Sequence, residues 1–305
     1  MAQPRWSTGG SPPASPPCAT RRPTDIRRAR PLLGTYVAIG VGLPDAEAAR
    51  AIEAGFAAIA DIHRLMSFQE PDSDVNRINR AGGGTVRVDP RTYVVLAAAQ
   101  RMAEASAGVF DIAIAPDLVA WGFLPRPDAP EPDRAASWRD IELLPSNEIR
   151  LSRPLWIDLG GIAKGYAVDQ AFAAMSLPPD VQCSVNAGGD LRVQGEPERI
   201  LLRAPAEGGQ VPVVELENAA LASSSGRDDL HDAGTGKVGP HVEGGTHRSV
   251  GTASFVSVVA PDCMTADALT KVVLALGCRA DGVLKAFNAT AYFHDGQWQT
   301  LGAIQ

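Results

Sequence analysis

"LWIDLGGIAKGYAVDQAFAAM", residues 155–175, decides how the rest of the chain is read. The apolar run 155–161 reads as a short strand that ends near Asp158 and a glycine pair. The small and apolar residues of 162–175 then recur at helical spacing, so a helix opens straight after the strand. Such a junction fits either a regularly alternating α/β sheet or an α+β fold, and the flanking segments choose between them. Upstream, 32–42 reads as a strand, 44–67 as an Ala-rich helix with Asp45 near its start, and 91–108 as a second helix closed by Gly108. The segment 108–116 reads as an apolar strand. Downstream, 181–195 reads as strand, tight turn and strand, and 198–222 as further strands. After a polar, Gly-rich stretch over 223–252 come a strand at 253–260, a helix at 265–277 and a closing hairpin at 289–300 around Asp295-Gly296. Strands cluster and helices fall between the clusters. The expected class is therefore α+β, with antiparallel or mixed sheets and packed helices.

The junction also carries chemistry. Gly160 and Gly161 permit close backbone approach, and a helix N-terminus offers free N–H groups and a favourable dipole to a phosphate. Lys164 stands in the first turn, against that dipole, and so calls for an anionic partner. The plain alternative is an Asp158–Lys164 pair that only stabilises the junction. A second focus is "TADALTKVVLALG", residues 265–277, where Asp267, Thr270 and Lys271 lie at i, i+3 and i+4 and share one helix face. That face reads as a metal site, a phosphate site or a surface ion pair. "VNAGGDLRVQG" (185–195) reads as a hairpin turn. "LASSSGR" (221–227) offers hydroxyls suited to an anion, or merely a strand end. "GTGKVG" (234–239) matches G-x-G-x-x-G, but no clear strand precedes it and Pro240 follows, so a dinucleotide-fold reading fails its context.

Composition narrows the field. The 305 residues carry 28 Lys and Arg against 35 Asp and Glu, a net charge of −7, which argues against a nucleic-acid binder. Residues 1–31 hold six Arg, one Asp and seven Pro, hence +5, which leaves −12 for residues 32–305. Residues 1–31 read as a disordered, basic, Pro-rich tail ahead of one domain over 32–305. No signal peptide is recognised, and no apolar run reaches 18 residues, so stable membrane insertion is not expected. The four Cys show no C-x-x-C pair and the five His no H-E-x-x-H.

Seven stretches occur together and in order: "LLGTYVAI", "MSFQEPDSDVNRIN", "GVFDIAIAPDLVAWGF", "IDLGGIAKGYAVDQA", "VNAGGDLRVQG", "ALASSSG" and "SVVAPDCMTADALTKVVLALG". In this the sequence resembles the ApbE-like FAD:protein FMN transferases, over roughly residues 32–277. The resemblance implies an α+β fold of two lobes around a flavin cleft. It implies a magnesium-dependent transfer of FMN from FAD to a Thr or Ser hydroxyl of a partner flavoprotein, with AMP released. It places Leu33, Gln69, Val109, Phe110, Asp111, Asp158 and Lys164 on FAD, and Gly161 and Asp267 on the metal. Members often act in the periplasm or at a membrane, and the compartment of this chain stays open.

The chain departs from the family pattern. The metal-ligating Thr of relatives falls where this sequence has Lys271, with Thr270 one residue early. The H-x-x-D-P-x-T-G of relatives is here "HVEGGTHR", which keeps His241 and loses Asp-Pro. Two readings of the helix face follow. Either Asp267 and Thr270 bind magnesium while Lys271 leans on a phosphate, or the Lys271 ammonium takes the place of the ion. His241 and Asp158 are the candidate bases for the acceptor hydroxyl. The rival functions are an FAD pyrophosphatase that gives FMN and AMP, and a flavin-binding protein without turnover.

Overall fold

The computed structural model describes residues 26–203, 211–227, 229–234, 236–251 and 253–302. Along the chain run β1 (Ile26–Leu32), β2 (Thr35–Val41), α1 (Asp45–Met66), α2 (Asp74–Arg80), β3 (Gly84–Arg87), α3 (Pro90–Ala105), α4 (Ala115–Ala120), β4 (Ile141–Leu144), β5 (Glu148–Leu151) and α5 (Ala163–Met175). Then follow β6 (Cys183–Ala187), β7 (Asp190–Gln194), β8 (Glu198–Leu201), β9 (Val213–Leu216) and β10 (Ala220–Ser225). The short pairs β11 (His231–Asp232) with β12 (Lys237–Val238), and β13 (Val242–Glu243) with β14 (Arg248–Ser249), lead to β15 (Phe255–Ala260). The chain continues through α6 (Cys263–Leu276), α7 (Asp281–Ala286), β16 (Thr290–His294) and β17 (Trp298–Leu301).

Eight strands form one sheet in the order β1-β2-β6-β7-β10-β15-β16-β17, every neighbouring pair antiparallel. A smaller sheet has the order β3-β5-β4. The α+β class is as expected. Strand alternation sorts the two faces of the large sheet. Leu191 and Val193 of β7 join Leu202, Val214, Leu216, Leu221 and Tyr292 in a cluster under the β8–β9 hairpin. The intervening Asp190 and Arg192 instead pair with Lys164 and Asp169 of α5. On that same side α1 buries Ala48, Ile52, Phe56, Ile59, Ile62, Leu65 and Met66, spaced by three or four residues along one stripe. Burying each large side chain contributes ~1.5–3 kcal/mol. The core is contiguous from β2 through β5 to α6 and β16.

α5 and α6 cross at Gly165. A Cβ there would collide with the Cys263 carbonyl oxygen and lie 2.6 Å from its carbon and 2.8 Å from Asp267 Cβ. Only glycine lets the two backbones approach this closely. Both carboxylate oxygens of Asp169, on α5, accept from the first N–H groups of α6, Cys263 at 3.0 Å and Met264 at 2.9 Å. Asp262 caps the Thr265 N–H at 2.8 Å. Two carboxylates at one helix N-terminus also suit its dipole.

Four expectations change. The stretch 32–42 is not one strand but the turn and second arm of a hairpin, bent at Leu33 and Gly34, both with positive φ. The first arm begins at Ile26, so residues 26–31 belong to the sheet and not to the tail; residues 1–25 lie outside the described part. The apolar run 155–161 is not a strand: 155–159 belong to no strand or helix, and 160–162 turn into α5. Its backbone is met by side chains and loops: Ile157 N–H donates to Asn79 Oδ1 at 2.7 Å, Asn79 Nδ2 donates to the Ile157 carbonyl at 3.2 Å, and Asp158 N–H donates to the Ile112 carbonyl at 2.8 Å. The segment 108–116 is not a strand either. The Asp111 carboxylate accepts from Ala113 N–H two residues on, which turns the chain into α4.

Candidate functional site

Two cavities meet at the junction before α5. One of about 310 Å³ is lined by Leu33, Gly34, Met66, Phe68, Gln69 and others. The other, about 460 Å³, is lined by Phe110, Asp111, Gly161, Ser223–Ser225, His241, Lys271 and neighbours. Leu124, Asp158, Gly160 and Lys164 line both, so these residues form the waist of a continuous cleft. Lys164 and Lys271 therefore both face the larger cavity, one from the first turn of α5 and one from the middle of α6.

The structure brings most of the expected residues together and separates three. Val109 lines neither cavity; its carbonyl accepts from Gly244 N–H at 3.0 Å and so holds the Gly-rich loop. Asp267 and Thr270 are wholly buried behind the cavity wall. The surface-pair reading of Asp267–Lys271 is thereby excluded. Asp111 lines the cavity, but its carboxylate accepts from Ala113 and Trp138 N–H groups and so shapes the loop.

Charges are densely coupled. Lys164 Nζ lies 3.3 Å from Asp190 Oδ2, an ion pair whose alignment falls short of a hydrogen bond. This is the anionic partner that its place at a helix N-terminus calls for. Burial alone would lower the Lys164 ammonium's pKa, but the Asp190 and Asp267 carboxylates outweigh it and hold the pKa above the ordinary value. Burial, helped by the charge of Asp267, keeps the Asp190 carboxyl well above the usual carboxylate range despite the lysine. Asp267 goes the other way: full burial would raise it, yet Lys271 and Lys164 together lower it. Asp190 and Arg192 of β7 are both partners of α5 that the sequence analysis does not identify. Their spacing, two apart on a strand, shows that they share a face, but not that this face meets α5.

Asp267 Oδ1 takes the Lys271 ammonium, and Oδ2 accepts from Gly165 N–H at 3.1 Å. Lys271 Nζ also donates to Ser224 Oγ at 3.2 Å. Ser224 and Thr270 hydroxyls are 2.8 Å apart, and Thr270 Oγ1 donates to the Asp267 carbonyl at 2.7 Å. Since an ammonium only donates, one proton arrangement satisfies the whole chain: Lys271 to Ser224, Ser224 to Thr270, Thr270 to the Asp267 carbonyl. A magnesium ion requires oxygen donors that are not already committed. Both Asp267 oxygens are engaged, the Thr270 hydroxyl is hydrogen-bonded, and Gly161 lies against the Lys271 stem, a Cβ there meeting Lys271 Cε at 3.5 Å. As arranged, Gly161, Asp267 and Thr270 do not fit a divalent cation, and among the described residues no group of three or more His, Cys, Asp or Glu offers an alternative.

The two candidate bases differ in their protonation. Burial pushes Asp158 up to about 6, against the Gly160 and Leu159 N–H groups that favour its ionised form. Burial, with the nearby Lys271 charge, pushes His241 down to about 4, although its hydrogen bond to the Ser225 backbone works the other way. Both are therefore largely unprotonated at neutral pH. A base works best with a pKa near the working pH, which favours Asp158. Deprotonated carboxylate is lost as pH falls, so kcat/KM measured against pH is expected to drop below about 6 and level off above about 7. A profile flat down to about pH 5, with a limb only near 4, would assign the proton to His241 instead.

A waist that holds Lys164 and Asp158 between two cavities, with Lys271 beside it on the wall of the larger one, suits a class of α+β proteins that hold an extended anionic ligand. The chain belongs to the ApbE family, whose sequence model matches residues 33–293. It is 27% identical to the FAD:protein FMN transferase of Haemophilus influenzae over 72% of this chain and 71% of that protein. It is 26% identical to the FAD:protein FMN transferase of Vibrio cholerae over 72% of this chain and 71% of that one. The crystal structure of the ApbE protein from Thermotoga maritima superposes with a TM-score of 0.78 at 26% identity, covering 90% of this chain and 96% of that chain. No helix among the described residues is long and apolar enough to cross a membrane.

Proposed function

We propose that this chain transfers FMN from FAD to a Thr or Ser hydroxyl of a partner protein. Family membership supports the reaction, and one observation ties it to these residues: Lys164 and Lys271 both face the cleft at or beside the waist where the two cavities join. The pyrophosphate of FAD lies between its two nucleotide halves, so a ligand spanning both cavities presents that group to both lysines. The hydroxyl oxygen attacks the FMN-side phosphorus, and the bond from that phosphorus to the AMP oxygen breaks. The hydroxyl proton passes to Asp158, and AMP leaves as the anion. Such a transfer needs alignment and positive charge on the phosphoryl oxygens more than covalent help from the protein. Lys164 and Lys271 supply that charge. Magnesium, which the family resemblance implies, is assigned no step, because the Asp267 carboxylate and the Thr270 hydroxyl are already engaged by Lys271, Gly165, Ser224 and the Asp267 carbonyl.

The test is incubation of purified protein with FAD and an acceptor protein carrying an exposed Thr or Ser target. A flavin-fluorescent acceptor band that survives denaturation, with one AMP per label, is the expected result. AMP without labelled acceptor would mean that water is the nucleophile. FAD retained with neither product would reduce the chain to a binder.

A further inference from the structure

We propose that the Lys271 ammonium is the resident cation of this site, so that the chain engages its dinucleotide pyrophosphate without a divalent metal. The inference rests on the flavin-nucleotide reading for the identity of the ligand, but its geometry stands apart from that reading. Lys271 is held from two sides, by Asp267 Oδ1 on its own helix and by Ser224 Oγ on β10. The four-residue spacing that places its head over Asp267 also folds its stem across Gly161, which has no side chain to oppose it. The ammonium thus occupies the space between the junction before α5, the helix α6 and the serine run of β10. It also lines the larger cavity.

Charge balance points the same way. Asp190 and Asp267, the two carboxylates wholly buried behind the cavity wall, already have a lysine each, Lys164 and Lys271, while Asp158 and Asp111 on the wall itself accept from backbone N–H groups. A divalent ion placed against Asp267 would sit beside two ammonium groups and would have to expel one of them. The hydroxyl relay from Lys271 through Ser224 to Thr270 closes on the Asp267 carbonyl, so a metal would also have to break it. Lysine differs from a divalent ion in what it delivers: one charge rather than two, from a flexible stem, with hydrogen-bond donors rather than open coordination positions. This arrangement suits steady binding of the pyrophosphate and a lower, metal-independent turnover.

Mn²⁺ serves as the probe, because its electron paramagnetic resonance signal reports the free ion. Wild-type protein is expected to leave that signal unchanged, with or without FAD, and to bind FAD with the same Kd within twofold in EDTA and in excess Mg²⁺. In Lys271→Thr the Asp267 carboxylate is freed and a second hydroxyl is added, so one Mn²⁺ per chain should bind, and FAD affinity should become at least tenfold weaker in EDTA than in Mg²⁺. Lys271→Met removes the charge without adding a donor, and it should weaken FAD binding about tenfold in both buffers. A Mn²⁺ site in the wild type, or none in a folded Lys271→Thr, overturns the proposal. These titrations need no acceptor protein. Absence of FMN transfer would therefore defeat the function proposed above and leave this inference standing, while EDTA-sensitive FAD binding by the wild type would do the reverse.

Discussion

Asp267→Ala is expected to lower stability by ~3–5 kcal/mol, the range for removing one member of a buried ion pair. Its carboxylate is wholly inaccessible, so the variant strands three groups at once. The Lys271 ammonium loses its closest anion, the Gly165 N–H loses its acceptor, and Lys164 loses the second of its two carboxylates. The Gly165 contact matters most for the fold, because it ties the first turn of α5 to α6 where the two backbones are nearest. Partial relief is available, since the Lys271 side chain is 17% exposed and can swing toward the cavity. That places the expected loss at the lower end, ~3 kcal/mol, or about 6–12 °C in Tm for a domain of this size. Urea unfolding at constant m is the direct measurement. The double variant Asp267→Ala, Lys271→Met should recover part of the loss, because the stranded charge is gone. If the single variant costs under about 1 kcal/mol, the buried network is not what holds α5 to α6.

Much of this architecture was legible, and for identifiable reasons. α1, α5 and α6 announce themselves through apolar residues at helical spacing, and the β6–β7 and β16–β17 hairpins through their glycines. α6 was also informative in a second way. Asp267 and Lys271 are its only charges in an otherwise apolar helix, and a helix apolar on every side is buried. That pattern alone argues against an exposed pair. What stayed hidden depended on partners distant in sequence. The runs 108–116 and 155–161 look like strands because both are apolar, yet the backbone of the second is met by Asn79 and Ile112, and the first is turned by the Asp111 side chain. Hydropathy reports that such segments are buried; it is silent on which groups meet their backbone. The pairing of Asp190 with Lys164 was invisible for the same kind of reason, since it joins a strand face to a helix turn across 26 residues.

Lys164→Met should reduce FMN transfer by ~10²–10³ in kcat/KM while leaving the fold nearly intact, a combination that separates chemistry from stability. The rate estimate follows from the effect of deleting one preorganised group aimed at the charge that develops on a transferred phosphoryl. Lys164 is the lysine at the waist itself, shared by both cavities, so its loss withdraws charge from the middle of the ligand. The modest effect on stability follows from Asp190. Burial already holds that carboxyl well above the usual range, so when its lysine is removed it takes up a proton and becomes neutral instead of remaining a stranded anion. Asp267→Ala instead strands the ammonium groups that its carboxylate balances, and the contrast between the two variants is the point of making both. The sign of the accompanying pH effect is fixed. With Asp190 protonated in the folded variant and ionised in the unfolded chain at neutral pH, the folded state binds the extra proton, and stability falls as pH rises. Thermal melts at pH 5.5 and 8 should therefore show the Lys164→Met variant closest to wild type at the lower pH. A variant that melts far below wild type at both values would make Lys164 a structural residue, and one that transfers FMN at the wild-type rate would remove it from the pyrophosphate altogether.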